Sequence, residues 1–102
     1  MRKARVFMHK TEAGILEELT PNHYVFTYLE GYAGPAVSLT MPVEGKRFEY
    51  FEFPPFFEGL LPEGMQLEAL LRKFKLDKKD YFGQLMQVGG DVVGAASIKE
   101  YK

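Results

Sequence analysis

Cysteine is absent from these 102 residues, which excludes disulfides and thiolate-bound metal and fits a reducing compartment. Charge of one sign is missing as well. Thirteen basic and fourteen acidic residues leave a formal net charge of −1, so electrostatics predict neither nucleic-acid binding nor attachment to an anionic membrane. No apolar run approaches the roughly 18 residues of a membrane span. The charged start Met1-Arg2-Lys3-Ala4-Arg5 lacks the apolar stretch of a signal peptide. Histidine occurs twice: His9 falls in a polar turn and His23 opens a strand, and their spacing makes no ligand pair. A metal site needs three or four convergent ligands. Serine occurs only at Ser38 and Ser97, neither in a nucleophile-elbow pattern. The chain is expected to be soluble and cytoplasmic, with no cofactor, metal or catalytic residue.

What the chain does have is a foldable composition, 46% hydrophobic and 15% aromatic, in a length expected to make one small domain over 1–102. A chain of this size buries roughly 60–65% of the surface exposed when unfolded, enough for one core. The densest feature is Phe53-Pro54-Pro55-Phe56-Phe57-Glu58-Gly59-Leu60-Leu61-Pro62-Glu63-Gly64-Met65. Its three prolines fix φ and remove backbone donors, so much of it cannot pair in a sheet. Its phenylalanines and leucines would each gain about 1.5–3 kcal/mol on full burial. Either the domain's own first long helix covers them or a partner does, and a loop anchored on its inner side can do both.

The residue pattern predicts strands over 4–8 and 15–19, joined through a polar turn at 9–14. After a turn at 20–22, residues 23–29 form the clearest strand, with Tyr24, Phe26 and Tyr28 on one face. Residues 36–41 are expected to make a further short strand ending at Pro42, and residues 47–53 an extended segment. The period then changes: Leu67, Leu70, Leu71 and Phe74 fall on one helical stripe. Pro62 suits the first turn of that helix, Glu63 its positive end, and Arg72, Lys73 and Lys75 its negative end. Asp77 is expected to cap a second helix carrying Tyr81, Phe82, Leu85 and Met86, stopped by Gly89-Gly90. Residues 92–98 read as a last strand whose Gly94, Ala95 and Ala96 permit close backbone approach. The fold class is α+β: a small antiparallel sheet with two helices, and Tyr24, Phe26, Phe74 and Phe82 in its core.

Other chemistry is thin. Glu58 and Glu63 could form a carboxylate pair, but each also fits a plain role, as a loop charge and a helix N-terminal charge. Residues 89–94 are glycine-rich yet follow a helix and lead into a strand, the reverse of a phosphate-binding loop. Arg72, Lys73, Lys75, Lys78 and Lys79 are interrupted by Asp77, as in a solvated helix end.

Phe56-Phe57-Glu58-Gly59-Leu60-Leu61-Pro62-Glu63-Gly64, followed by Gly89-Gly90-Asp91-Val92-Val93-Gly94-Ala95, resembles the N-terminal subdomain of the HipA-type serine/threonine kinases. That family shows F-F-x-N-L-L-P-E-G and G-x-D-x-x-G-A runs at this separation. Ala36-Val37-Ser38-Leu39-Thr40-Met41-Pro42 is similar to its P-L-S-L-x-x-P segment, and the likeness covers nearly the whole chain. The chain departs from the pattern within Glu58-Gly59 and at Gly90, which is usually basic. The catalytic body that follows in such kinases, with its ATP-binding and phosphoryl-transfer residues, has no counterpart among these residues.

A free-standing copy of the subdomain is similar to the HipS component of tripartite HipBST toxin–antitoxin systems. There the kinase HipT lacks this piece and a separate HipB protein binds DNA. The resemblance implies that the chain docks onto a HipT-like serine/threonine kinase and acts as its antitoxin, in a complex with a HipB-like DNA-binding protein. It implies no enzymatic activity, no direct nucleic-acid contact and no membrane. The kinase-binding residues expected on this reading are Phe57, Glu58, Leu60, Leu61, Glu63, Gly64 and Met65. Met65 is the inserted tip, since methionine is flexible and polarisable; Phe57, Leu60 and Leu61 support it, and Glu63 pairs with a basic group. The rival readings are a non-inhibitory assembly subunit that completes the kinase fold and bridges it to the DNA-binding HipB partner, and a small hydrolase using Glu58 and Glu63.

Overall fold

A computed structural model describes residues 2–90 and 96–101. Strands β1 (Arg2–Met8), β2 (Thr11–Thr20), β3 (His23–Tyr28), β4 (Arg47–Tyr50) and β5 (Ala96–Glu100) form one antiparallel sheet in the order β4-β3-β2-β1-β5. A single-turn helix α1 (Pro55–Glu58) and two longer helices, α2 (Gly64–Phe74) and α3 (Tyr81–Val88), follow β4. The expected α+β class is therefore the observed one, with α1 added.

The strands alternate as their sequences dictate. Ala4, Val6, Met8, Leu16, Tyr24, Phe26, Tyr28 and Ile98 are buried on one face with Phe53, Phe57, Phe82 and Leu85 over them. The other face mixes buried Val25 with charged pairs: Lys3 meets Glu17 at 3.7 Å across β1 and β2, and Lys3 and Arg5 both lie over the Tyr101 ring. The first hairpin is tighter than its sequence indicated. His9 and Lys10 alone make the turn, both at positive φ, so β2 begins at Thr11 rather than Ile15. An irregularity between Val6 and Phe7 shifts the register and buries Ala13 and Gly14 in succession. A Cβ on Gly14 would fall 2.4 Å from the Thr27 carbonyl oxygen and 2.7 Å from the Phe26 ring, so that approach admits only glycine.

Residues 36–41 do not form the expected strand; they make one isolated bridge, Ser38 to Met41. A long-range contact overrides their β propensity. The buried Tyr28 hydroxyl accepts from Val37 N–H at 2.9 Å and donates to the Met41 carbonyl, which pins this loop over the end of β3. Tyr28→Phe leaves both backbone groups without that partner, and we expect a loss of about 1–3 kcal/mol in urea unfolding. A change under about 0.5 kcal/mol would show that the hydroxyl does not hold the loop.

The cap of α3 also differs. Asp77 accepts from Lys79 N–H at 2.7 Å and closes a turn, while Asp80 is the N-cap, accepting from Gly83 N–H at 3.0 Å. Asp80 is favoured because Arg2 of β1 reaches it at 2.8 Å while also binding Glu18 through Nε and Nη2 at 2.7 and 2.9 Å. Buried Gln84 donates to the carbonyls of Asp77 and Lys78, fixing the α2–α3 connection. The Arg2 hydrogen bond, helped by Gly83 N–H against the effect of burial, lowers the Asp80 pKa. A carboxyl depressed by folding stabilises the native state above its unfolded pKa, about 3.9, and that contribution disappears as pH falls through the folded value. Asp80→Asn keeps a capping residue but loses the ion pair. Wild type should exceed it by about 1 kcal/mol at neutral pH, the upper end for solvent-accessible pairs. The gap should close below about pH 4 in acid-titrated thermal melts; a gap independent of pH would discount the ion pair.

Phe74 was expected in the core but is 39% exposed. Its helix, α2, buries no residue fully; Leu67, Leu70 and Leu71 are half-buried. Periodicity marked an apolar stripe without saying how well the fold covers it. The last strand is described from Ala96 onward, so the expectation for residues 92–95 lies outside the described residues.

Candidate functional site

The proline-rich segment is folded onto the sheet. Pro54 is the N-cap and Pro55 the first residue of α1, where a missing N–H costs nothing. Glu58 N–H bonds the Pro54 carbonyl at 3.0 Å, Gly59 the Pro55 carbonyl at 3.0 Å, Leu60 the Phe57 carbonyl and Leu61 the Glu58 carbonyl, both at 3.1 Å. The backbone is thus locally satisfied without sheet pairing. Phe57 is wholly buried, 5.9 Å from the Phe26 ring and edge-on to Phe56 at 5.2 Å. Phe53 stands edge-on to Tyr24 at 5.3 Å and lies 5.6 Å from Tyr81. Aromatic pairs in such geometries add roughly 0.5–1.5 kcal/mol each beyond area burial. The sheet covers it through Tyr24 and Phe26, and α3 through Tyr81.

The far end of the segment faces outward. Leu60 and Leu61 are half-buried against the core; Glu58, Gly59, Glu63 and Gly64 are exposed. Gly64 opens α2 at φ 59° with open space around its missing Cβ, so its requirement is conformational rather than steric. Met65 follows it at 86% exposure. By helical spacing Met65, Ala69 and Arg72 share a face turned away from the Leu67–Leu70–Leu71 stripe, and all three are exposed.

The expected site residues therefore separate into two sets. Phe57 holds the loop from inside and has no surface to offer a partner. Glu58, Glu63, Gly64 and Met65 are accessible, with Leu60 and Leu61 partly so. Apolar exposure that the sequence did not single out occurs at Leu39, fully exposed on the Ser38–Met41 turn, and at Phe51, 71% exposed and stacked on His23 at 4.8 Å. The expected strand over 36–41 concealed Leu39.

No group of three or more His, Cys, Asp or Glu able to hold a metal ion occurs among the described residues. Two open depressions, of about 650 Å³ beside Ile15, Thr27 and Tyr32 and about 420 Å³ beside Leu76, Phe82 and Met86, include no residue of 53–65 in their walls. No described helix is long and apolar enough to cross a membrane.

These features define a small α+β domain with an apolar-tipped segment anchored on its sheet. The HipA N-terminal domain family matches residues 4–99, and the chain belongs to that family. It is similar to an uncharacterized protein of Haemophilus influenzae, 30% identical over 102 residues, a match covering 100% of this chain and 95% of that protein. Among solved structures it is similar to the N-terminal domain of HipA toxin, with TM-score 0.77 and 27% identity, covering 100% of this chain and 94% of that one.

Proposed function

We propose that this chain is a non-enzymatic antitoxin that binds and inhibits a HipT-like serine/threonine kinase within a tripartite HipBST complex. The observation that carries the reading is Met65, an 86% exposed apolar side chain at the end of a segment anchored by buried Phe53, Pro54 and Phe57. A pre-ordered apolar tip loses little entropy on association. Membership of the HipA N-terminal domain family supports a kinase-system context. Inhibition acts by occupation: Met65 enters the kinase's nucleotide or substrate cleft, Leu60 and Leu61 pack at its edge, and Glu58, Glu63 and Gly64 complete the contact surface. Glu63 pairs there with a basic group. A HipB-like protein supplies DNA binding.

The test mixes the purified chain with a HipT-like kinase and scores complex formation and phosphorylation together. Binding with loss of phosphorylation is expected. Binding with full activity would make the chain an assembly subunit and place neutralisation in the HipB-like partner. No binding would refute both readings.

A further inference from the structure

We propose that Met65 is a selective oxidation site whose conversion to the sulfoxide releases the kinase, making this antitoxin responsive to hydroperoxides. The regulatory half rests on the reading of Met65 as the inserted tip; the selectivity rests on the chain alone. Of the other described methionines, Met8 is 7% and Met41 0% exposed, and Met86 is partly buried against the core. Among the described methionines, Met65, 86% exposed, is the one most open to a small oxidant. No cysteine competes for the oxidant, and thiolates are the other readily oxidised side chains.

The chemistry balances without a cofactor. The Met65 Sδ lone pair attacks the outer oxygen of the hydroperoxide and the O–O bond breaks. One oxygen is transferred to sulfur, which is oxidised by two electrons, and the peroxide is reduced to water or an alcohol. The product exchanges a flexible apolar group for a polar, chiral one. In solvent at the start of α2 the change costs the fold nothing, since the side chain packs on no core residue. Inside an apolar cleft the sulfoxide oxygen would lose its water without a partner. Folding is therefore indifferent to the modification while binding is sensitive to it, and methionine sulfoxide reductases reverse it.

The experiment treats the free chain with hydrogen peroxide and follows each methionine by peptide mass mapping, then measures kinase binding and inhibition. Met65 should oxidise about tenfold or more faster than Met8 and Met41. The oxidised chain should keep its melting temperature, bind the kinase about thirtyfold more weakly, and recover after reductase treatment. Met65→Leu, compared only with its own untreated sample, should show no peroxide effect. Equal oxidation of Met65 and the buried methionines would overturn the site. Selective oxidation with unchanged inhibition would overturn its regulatory consequence. Absence of kinase binding by the untreated chain would instead overturn the antitoxin reading and the consequence with it, while the oxidation rates still decide the site.

Discussion

Phe57→Ala is expected to destabilise the domain by about 3–5 kcal/mol, the cost of removing a fully buried phenylalanine. Phe57 has no exposed surface, and its ring contacts both Phe26 of the sheet and Phe56 of the same turn. The neighbours cannot close the resulting void easily. The prolines on one side hold the backbone of α1, and β3 is paired on both sides, by β2 and β4. For a domain near 100 residues a loss of this size lowers the melting temperature by roughly 15 °C or more, a large part of a typical total stability of about 5–15 kcal/mol. Phe57→Leu should cost far less, roughly 1.5 kcal/mol or below, because most of the volume is retained. Thermal and urea unfolding of the two variants settle the matter. An alanine variant within about 1 kcal/mol of wild type would mean that the loop is not anchored through this ring.

Met65→Ala should show the opposite profile. The side chain is 86% exposed and packs on nothing in the core, so unfolding should shift by no more than about 0.5 kcal/mol. Binding to a HipT-like kinase should weaken by about 2 kcal/mol or more, roughly thirtyfold, as for a central interface anchor. Titration calorimetry with the kinase, beside a phosphorylation assay, measures it. An affinity within about threefold of wild type would remove Met65 as the inserted tip. The contrast between the two variants also separates cause from context. If Phe57→Leu lowers affinity while the fold survives, the kinase reads the position of the loop. If only Met65→Ala does so, the kinase reads the tip. Glu58→Gln with Glu63→Gln should leave the fold intact, and any hydrolase reading of those two carboxylates requires the pair to matter.

The amino-acid sequence by itself determined the elements whose signals are local. Alternation in His23-Tyr24-Val25-Phe26-Thr27-Tyr28 required a strand with three aromatics on one face. The change to helical spacing after Pro62 required α2, and the prolines barred residues 54–62 from the sheet. The resemblance carried by the 56–64 run pointed to the family that the whole-chain match then established. Tertiary structure decided what depends on distant partners. Whether Asp77 or Asp80 caps α3 was set by Arg2, 78 residues away in sequence from Asp80. Whether residues 36–41 extend as a strand was set by the hydroxyl of Tyr28. Above all, Phe57 and Met65 are both apolar residues of the 53–65 segment, and hydrophobicity alone does not say which of them is buried. One is sealed against Phe26 and the other left in solvent, because burial depends on which surfaces the folded chain brings together, whereas propensity and periodicity act only over a few neighbouring residues.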